Sequence, residues 1–213
     1  NIAIGLCALR GTATPNNNSG YRNIALGCSA GKELTDGDDN ILIGDQAGRN
    51  IGVAFYNFIG GYHAGCNIST GSANIILGKH AARSGVLTGG CNFFGGYKAG
   101  ELLTSGSHNI LLGTEAGKCG TTHACSVYIG KAAGMCMCNG NNNIAIGKEA
   151  LCGSSTVSDN TGKYNISFGA SSGKSVTSGQ YNLFFGNFAG GNVTSGACNV
   201  YLGRGAGGAA GSG

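Results

Sequence analysis

Two glycine-rich segments of the chain resemble nucleotide-binding loops. GASSGKS, Gly169 to Ser175, has the look of a phosphate-cradling P-loop. That loop needs four residues between its glycines, and this segment has three. GRGAGG, Gly203 to Gly208, satisfies G-x-G-x-x-G, but no helix pattern follows it. Glycine makes up 43 of 213 residues, so such matches arise by chance. Metal chemistry has three candidate places. His63 and His80 recur 17 residues apart. Asp36, Asp38 and Asp39 cluster in TDGDDN and have the oxygen donors that calcium takes. The stretch from Cys119 to Cys138 holds four cysteines and His123, donors that suit zinc, although its C-x-C and C-x3-H-x-C spacings differ from the usual C-x2-C knuckle. With nine acidic residues in all, no paired carboxylates and no Ser-His-Asp set stand out. The expectation is a protein without catalytic residues, cofactor or metal.

What must position these residues is a repeat. The word Asn-apolar-x-apolar-Gly begins at Asn1, Asn23, Asn40, Asn57, Asn74, Asn92, Asn109, Ser126, Asn143, Asn165, Asn182 and Asn199. The steps are 22, 17, 17, 17, 18, 17, 17, 17, 22, 17 and 17 residues. The first nine positions read N-Φ-x-Φ-G-x-x-A-G, and a second part ends in T-S-G, as in ELLTSG from Glu101 to Gly106. A unit this short cannot bury its own apolar face, but stacked copies can. The chain is therefore read as all-β: a parallel β-solenoid of about twelve 17-residue coils over 1–207, with a flexible Gly/Ala tail over 208–213. The invariant glycine at position 5 predicts a bend with positive φ. Position 8, alanine in eleven units, admits only a small side chain. Position 1 predicts a column of stacked amides.

Positions 2 and 4 are apolar and two apart, so they are expected to share the inner face of the strand. Where position 2 is Phe58 or Phe93, position 4 is Gly60 or Gly95, which reads as volume compensation inside one core. Position 3 would then face outward as an apolar stripe through Leu42, Ile59, Ile76, Phe94, Leu111, Tyr128, Phe184 and Tyr201. A stripe of that size predicts self-association into a trimer or polymer. The two 22-residue units carry Leu9 and Leu151 where most units have glycine. Each is read as a turn bulging outward, with long loops over 10–22 and 152–164.

Ten cysteines point towards an oxidising setting. Cys119 and Cys136 fall at the same position of neighbouring units, about 4.8 Å apart in a parallel stack, and are expected to form a disulfide. Asn17, Asn67 and Asn192 lie in N-x-S/T sequons in turns and are candidate glycosylation sites. The net charge of +4 is scattered singly, which argues against nucleic acid, and no apolar run is long enough to insert in a membrane. No signal peptide is seen, so the chain reads as a mature form or a fragment.

NIAIG, NIALG and NILIG, the turns GDQAG, GTEAG and GKAAG, and the returns LTSGSHN and VTSGQYN together resemble the head repeats of trimeric autotransporter adhesins. They are also similar to NxAIG-type repeats of phage tail-fibre proteins. The resemblance spans all twelve units. It implies parallel β-rolls that assemble as trimers and serve as rods or adhesins. The function expected is therefore a non-enzymatic structural protein, a self-associating, disulfide-stiffened solenoid of an extracellular fibre, sheath or appendage, located outside the cell, on a cell surface or on a virion. The alternative is an adhesin or tail-fibre head that binds a host surface or cell-surface glycan. A third reading, ice binding, draws on Thr35, Thr70, Thr104, Thr177 and Thr194, which recur near position 13 with gaps.

Overall fold

In the computed structural model, which describes residues 1–12 and 19–208, each repeat word is a three-residue strand. These are β1 (Ile2–Ile4), β2 (Ile24–Leu26), β3 (Ile41–Ile43), β4 (Phe58–Gly60), β5 (Ile75–Leu77) and β6 (Phe93–Gly95). They continue as β7 (Ile110–Leu112), β8 (Val127–Ile129), β9 (Ile144–Ile146), β10 (Ile166–Phe168), β11 (Leu183–Phe185) and β12 (Val200–Leu202). All twelve lie in one parallel sheet, in chain order. Position 2 pairs with position 2 in every step, including Ile2 with Ile24 and Ile144 with Ile166 across the 22-residue units. The solenoid is thus as expected, and the extra residues are absorbed away from the sheet.

Two of the positional rules have a direct steric cause. The glycine at position 5 has φ between 111° and 139° in every coil. A Cβ on Gly113 would also lie 2.6 Å from the carbonyl oxygen of Gly130 in the next coil. Position 8 is fully buried, as at Ala47, Ala64 and Ala116, and its N–H closes a tight turn onto the position-5 carbonyl. The asparagine column forms a continuous ladder. The backbone N–H of Asn57 donates to Oδ1 of Asn40 at 3.1 Å, and its Nδ2 donates to that oxygen at 3.0 Å and to the Gly71 carbonyl at 3.0 Å. Ser126 interrupts the ladder. Its hydroxyl accepts from the N–H of Asn143 at 3.3 Å.

The assignment of inside and outside is the reverse of the expectation. Position 3 points inward. Leu42, Ile59, Ile76, Phe94, Leu111, Tyr128 and Phe184 are completely buried, and Tyr201 packs against the same core. Positions 2 and 4 face solvent, with Ile41, Ile43, Phe58, Ile75 and Phe93 between 37% and 41% exposed. The reason is geometric. A coil this tight admits one side chain from each three-residue strand. The rest of its interior is filled by the position-8 alanine and by Ile51, Ile68, Leu87, Leu103, Met137 and Val176 from the return segment. Phe58 and Gly60, like Phe93 and Gly95, therefore trade volume on the outer face.

True core compensation occurs elsewhere. Leu151 does not bulge outward; it is fully buried at φ 45°. It fills the space left where position 3 is Ala145 and then Ser167, and Leu9 packs likewise beside Ala25. In the seventh coil the return segment has Gly120 where other coils have Leu or Ile. The ring of His123, from a position usually held by glycine, fills that space and closely approaches Gly120. The second long loop protrudes through exposed residues 155–159, with a short 3-10 turn at Val157–Asp159. Asn160 pins its base: Oδ1 accepts from the N–H of Ser154 at 2.9 Å, and Nδ2 donates to the Ser154 carbonyl at 2.8 Å. Residues 13–18 of the first loop, with Asn17, and the tail beyond Gly208 lie outside the described residues.

Candidate interaction surfaces

The residues with chemical potential are mostly spent on structure. GASSGKS and GRGAGG are the turns after β10 and β12. In the aspartate cluster each carboxylate caps the preceding coil. Asp36 accepts from the Ser19 hydroxyl at 2.7 Å, and Asp38 from the N–H of Tyr21 at 2.6 Å. Asp39 holds the Arg22 guanidinium at 2.6 and 2.8 Å, and that hydrogen bond draws the Asp39 carboxyl below its ordinary range. Thr104 and Thr177 donate their hydroxyls to carbonyls of the next coil, Thr121 and Thr194. Among the described residues no group of three potential ligands could hold a metal ion.

The cysteines differ from expectation. All ten are free thiols, so Cys119 and Cys136 are not bridged. They are stacked neighbours, as the repeat requires. In-register parallel residues keep their Cβ atoms close to the ~4.8 Å coil spacing, whereas a disulfide draws them to about 3.8 Å. The pair shares a hydrogen bond instead. That bond, with nearby Lys118 adding a smaller pull, lowers the Cys119 thiol to about 7 and makes the Cys136 proton correspondingly harder to remove. Of the sequons, Asn192 is exposed. Asn67 is engaged at both ends of its amide, accepting from Asn50 at 2.7 Å and donating to the Arg83 carbonyl at 3.1 Å.

His123 is wholly buried and neutral. Burial pushes its ionisation down to about 4, and its Nδ1 lies 3.3 Å from Oδ1 of Asn109. It is a core residue rather than a zinc ligand. Its role leaves a sequence signal: it occupies the one 17-residue coil in which position 12 is glycine and position 15 is large.

Two surfaces remain. The first is the outer face of the sheet. Positions 2 and 4 contribute 24 side chains over twelve strands, from Ile2 and Ile4 to Val200 and Leu202, and all are Ile, Leu, Val, Phe or Gly. At Gly95 the surface dips, flanked by the Phe93 ring and Leu112. The second is the ridge of turns after the strands. Tyr62, His63, His80 and Tyr97 line up there, with successive ring centroids 4.3 to 6.0 Å apart. Lys79 lies over the Tyr62 ring, 5.7 Å from its centroid.

No helix among the described residues is long and apolar enough to cross a membrane. Comparison with protein-family models, with curated proteins and with solved structures finds no match, so the functional reading rests on the geometry of these two surfaces.

Proposed function

We propose that the protein is a non-enzymatic structural rod that associates with copies of itself through the outer face of its sheet. The observation that carries this is the pair of columns at positions 2 and 4, apolar in every one of twelve coils. Side chains roughly 40% exposed over this length present on the order of 1,000 Å² of apolar surface, above the 300–600 Å² of the largest patch on a typical monomer and comparable with one side of a standard interface. The face carries no charge, so nothing on it selects a basic or acidic partner. Its relief of Phe58 and Phe93 beside Gly60 and Gly95 gives a second copy both knobs and notches to fit.

A role in an extracellular fibre, sheath or appendage rests on the resemblance of the repeat words. Disulfides have no part in this reading, because the stiffness comes from the stacked sheet and the asparagine ladder. The test is the oligomeric state by sedimentation. The parent chain should sediment as a trimer or larger assembly, and a variant with Ile75, Phe93 and Ile110 replaced by Lys as a monomer with unchanged β circular dichroism. A parent chain that is monomeric at tens of micromolar would overturn the proposal.

A further inference from the structure

Position 10 forms a column along the ridge of turns, and most of its charges are neutralised locally. Lys118 pairs with Glu115 at 2.8 Å, Glu101 with Lys98 at 3.5 Å, and Lys174 with Glu149 at 2.8 Å. In the third to fifth coils the column reads Arg49, Cys66, Arg83, and the position-7 residues that elsewhere supply charge are Gln46, His63 and His80. Among the described residues neither arginine has a carboxylate within ion-pair distance, while five such pairs occur elsewhere. Arg49 reaches only the Gln46 amide oxygen, at 3.2 Å, and its Nε is shielded from solvent without a protein partner.

The short side chain between the two arginines makes a notch. Cys66 is buried at its floor, and the arginines stand two coils apart, about 9.6 Å along the axis. The open cleft has a volume of about 370 Å³ and is completed by His63, Asn50, Asn67 and Ser84. The bond from Asn50 to Asn67, with that from Asn67 to the Arg83 carbonyl, fixes the amide side of the notch before any ligand arrives. Burial pushes the Cys66 thiol up, so the floor is neutral and does not compete as an anion. Two unpaired guanidinium groups facing across a small polar gap are suited to sharing the oxygens of one anion.

We propose that this notch is an oxyanion-binding site, taking a single sulfate, phosphate or carboxylate group between Arg49 and Arg83, either as the free ion or carried by an acidic saccharide. The site lies on the ridge of turns, and its existence does not depend on self-association through the sheet. His63 gives it a pH dependence. Burial and the positive charge of Arg83 and Arg49 lower its ionisation below the usual imidazole range, with Asp45 opposing them. His80, on the same ridge, is lowered by burial, Arg83, Lys79 and His63, with Glu101 opposing. A bound anion offsets the arginine charges and so raises both. By linkage, binding tightens as pH falls through the imidazole range.

Calorimetric titration with sodium sulfate, with a sulfated disaccharide and with the unsulfated parent sugar tests the site. Sulfate should bind saturably, more tightly at pH 5.5 than at pH 7.5, and more weakly as sodium chloride is raised. Arg49→Gln and Arg83→Gln should each weaken binding about tenfold or more, the cost of losing one charge-assisted contact. Arg204→Gln, outside the notch, should leave binding unchanged. Cys66→Met should abolish binding without changing charge, because it fills the gap with the residue that position 10 already carries at Met135. A sulfated disaccharide that binds more tightly than inorganic sulfate assigns the anion to a saccharide; equal affinity assigns it to the free ion. Absence of saturable sulfate binding, or binding that survives both arginine substitutions, overturns the proposal.

Discussion

The two faces of one three-residue strand are equally apolar and have opposite fates. In β5, Ile76 is fully buried while its neighbour Ile75 is 41% exposed, and the same contrast holds for Phe94 and Phe93 in β6. Hydrophobicity does not separate these neighbours; the room inside the coil does. The inner face varies from Ala25 to Tyr128, and each change is answered by a residue facing it across the coil, as with Leu151 and Ala145 or His123 and Gly120. On the outer face residues vary among Ile, Leu, Val, Phe and Gly, with no partner in the same chain except the neighbouring coil.

The largest expected effect breaks the inner face. Replacing Ile76, Phe94 and Leu111 together with Lys buries three unpaired charges, each costing several kcal/mol, against a total stability of about 5–15 kcal/mol. The β signal in circular dichroism should vanish at any pH near neutral. The matching triple on the outer face, at Ile75, Phe93 and Ile110, should change stability by no more than about 1 kcal/mol per site and act on association instead. If the two triples behaved alike, the assignment of faces would be wrong.

His123 sharpens the contrast, because it is a titratable group on the inner face. Its ionisation is about 4 in the folded chain and 6.5 in the reference state. The unfolded chain therefore takes up a proton first as pH falls. Stability should decline from about pH 6.5 and reach a loss of roughly 3 kcal/mol near pH 4. The double variant Gly120→Leu with His123→Gly restores the volumes used by the other coils. In urea titrations it should match the parent within about 1 kcal/mol at pH 7.5 and remove most of the decline at pH 4.5. The smallest expected effect lies at the wall between the faces. Ser126→Asn should complete the amide ladder and raise stability by about 1 kcal/mol, read as a shift in the urea midpoint at constant slope.

The period, the parallel register, the glycine bends and the amide column were all legible in the sequence, because each recurs in coil after coil and has one steric or hydrogen-bonding cause. Which face of the strand is inner was not. Positions 2, 3 and 4 are all apolar, so the period-two signal that normally orients a strand carries no contrast. The evidence for position 3 lay in its wide range of size, which only a packed interior needs to balance, as Leu151 does for Ala145. The notch at Cys66 was hidden for another reason. It depends on an absence of charge at position 7 in coils 3 to 5, visible only when the ridge is compared with the paired coils at Glu115 and Glu149. The cysteine pair was placed correctly as neighbours, but stacking alone does not supply the closer approach that a bond between them would need.

The strand register is kept across steps of 17, 18 and 22 residues alike. The molecule thus measures length in words rather than in residues. Extra residues at a corner, as at 153–160, add nothing along the axis, while each added Asn-led word adds one spacing of about 4.8 Å. A protein built this way is a ruler whose graduations are set by the number of repeats. Its side loops can be lengthened, shortened or exchanged without altering the distance between its ends.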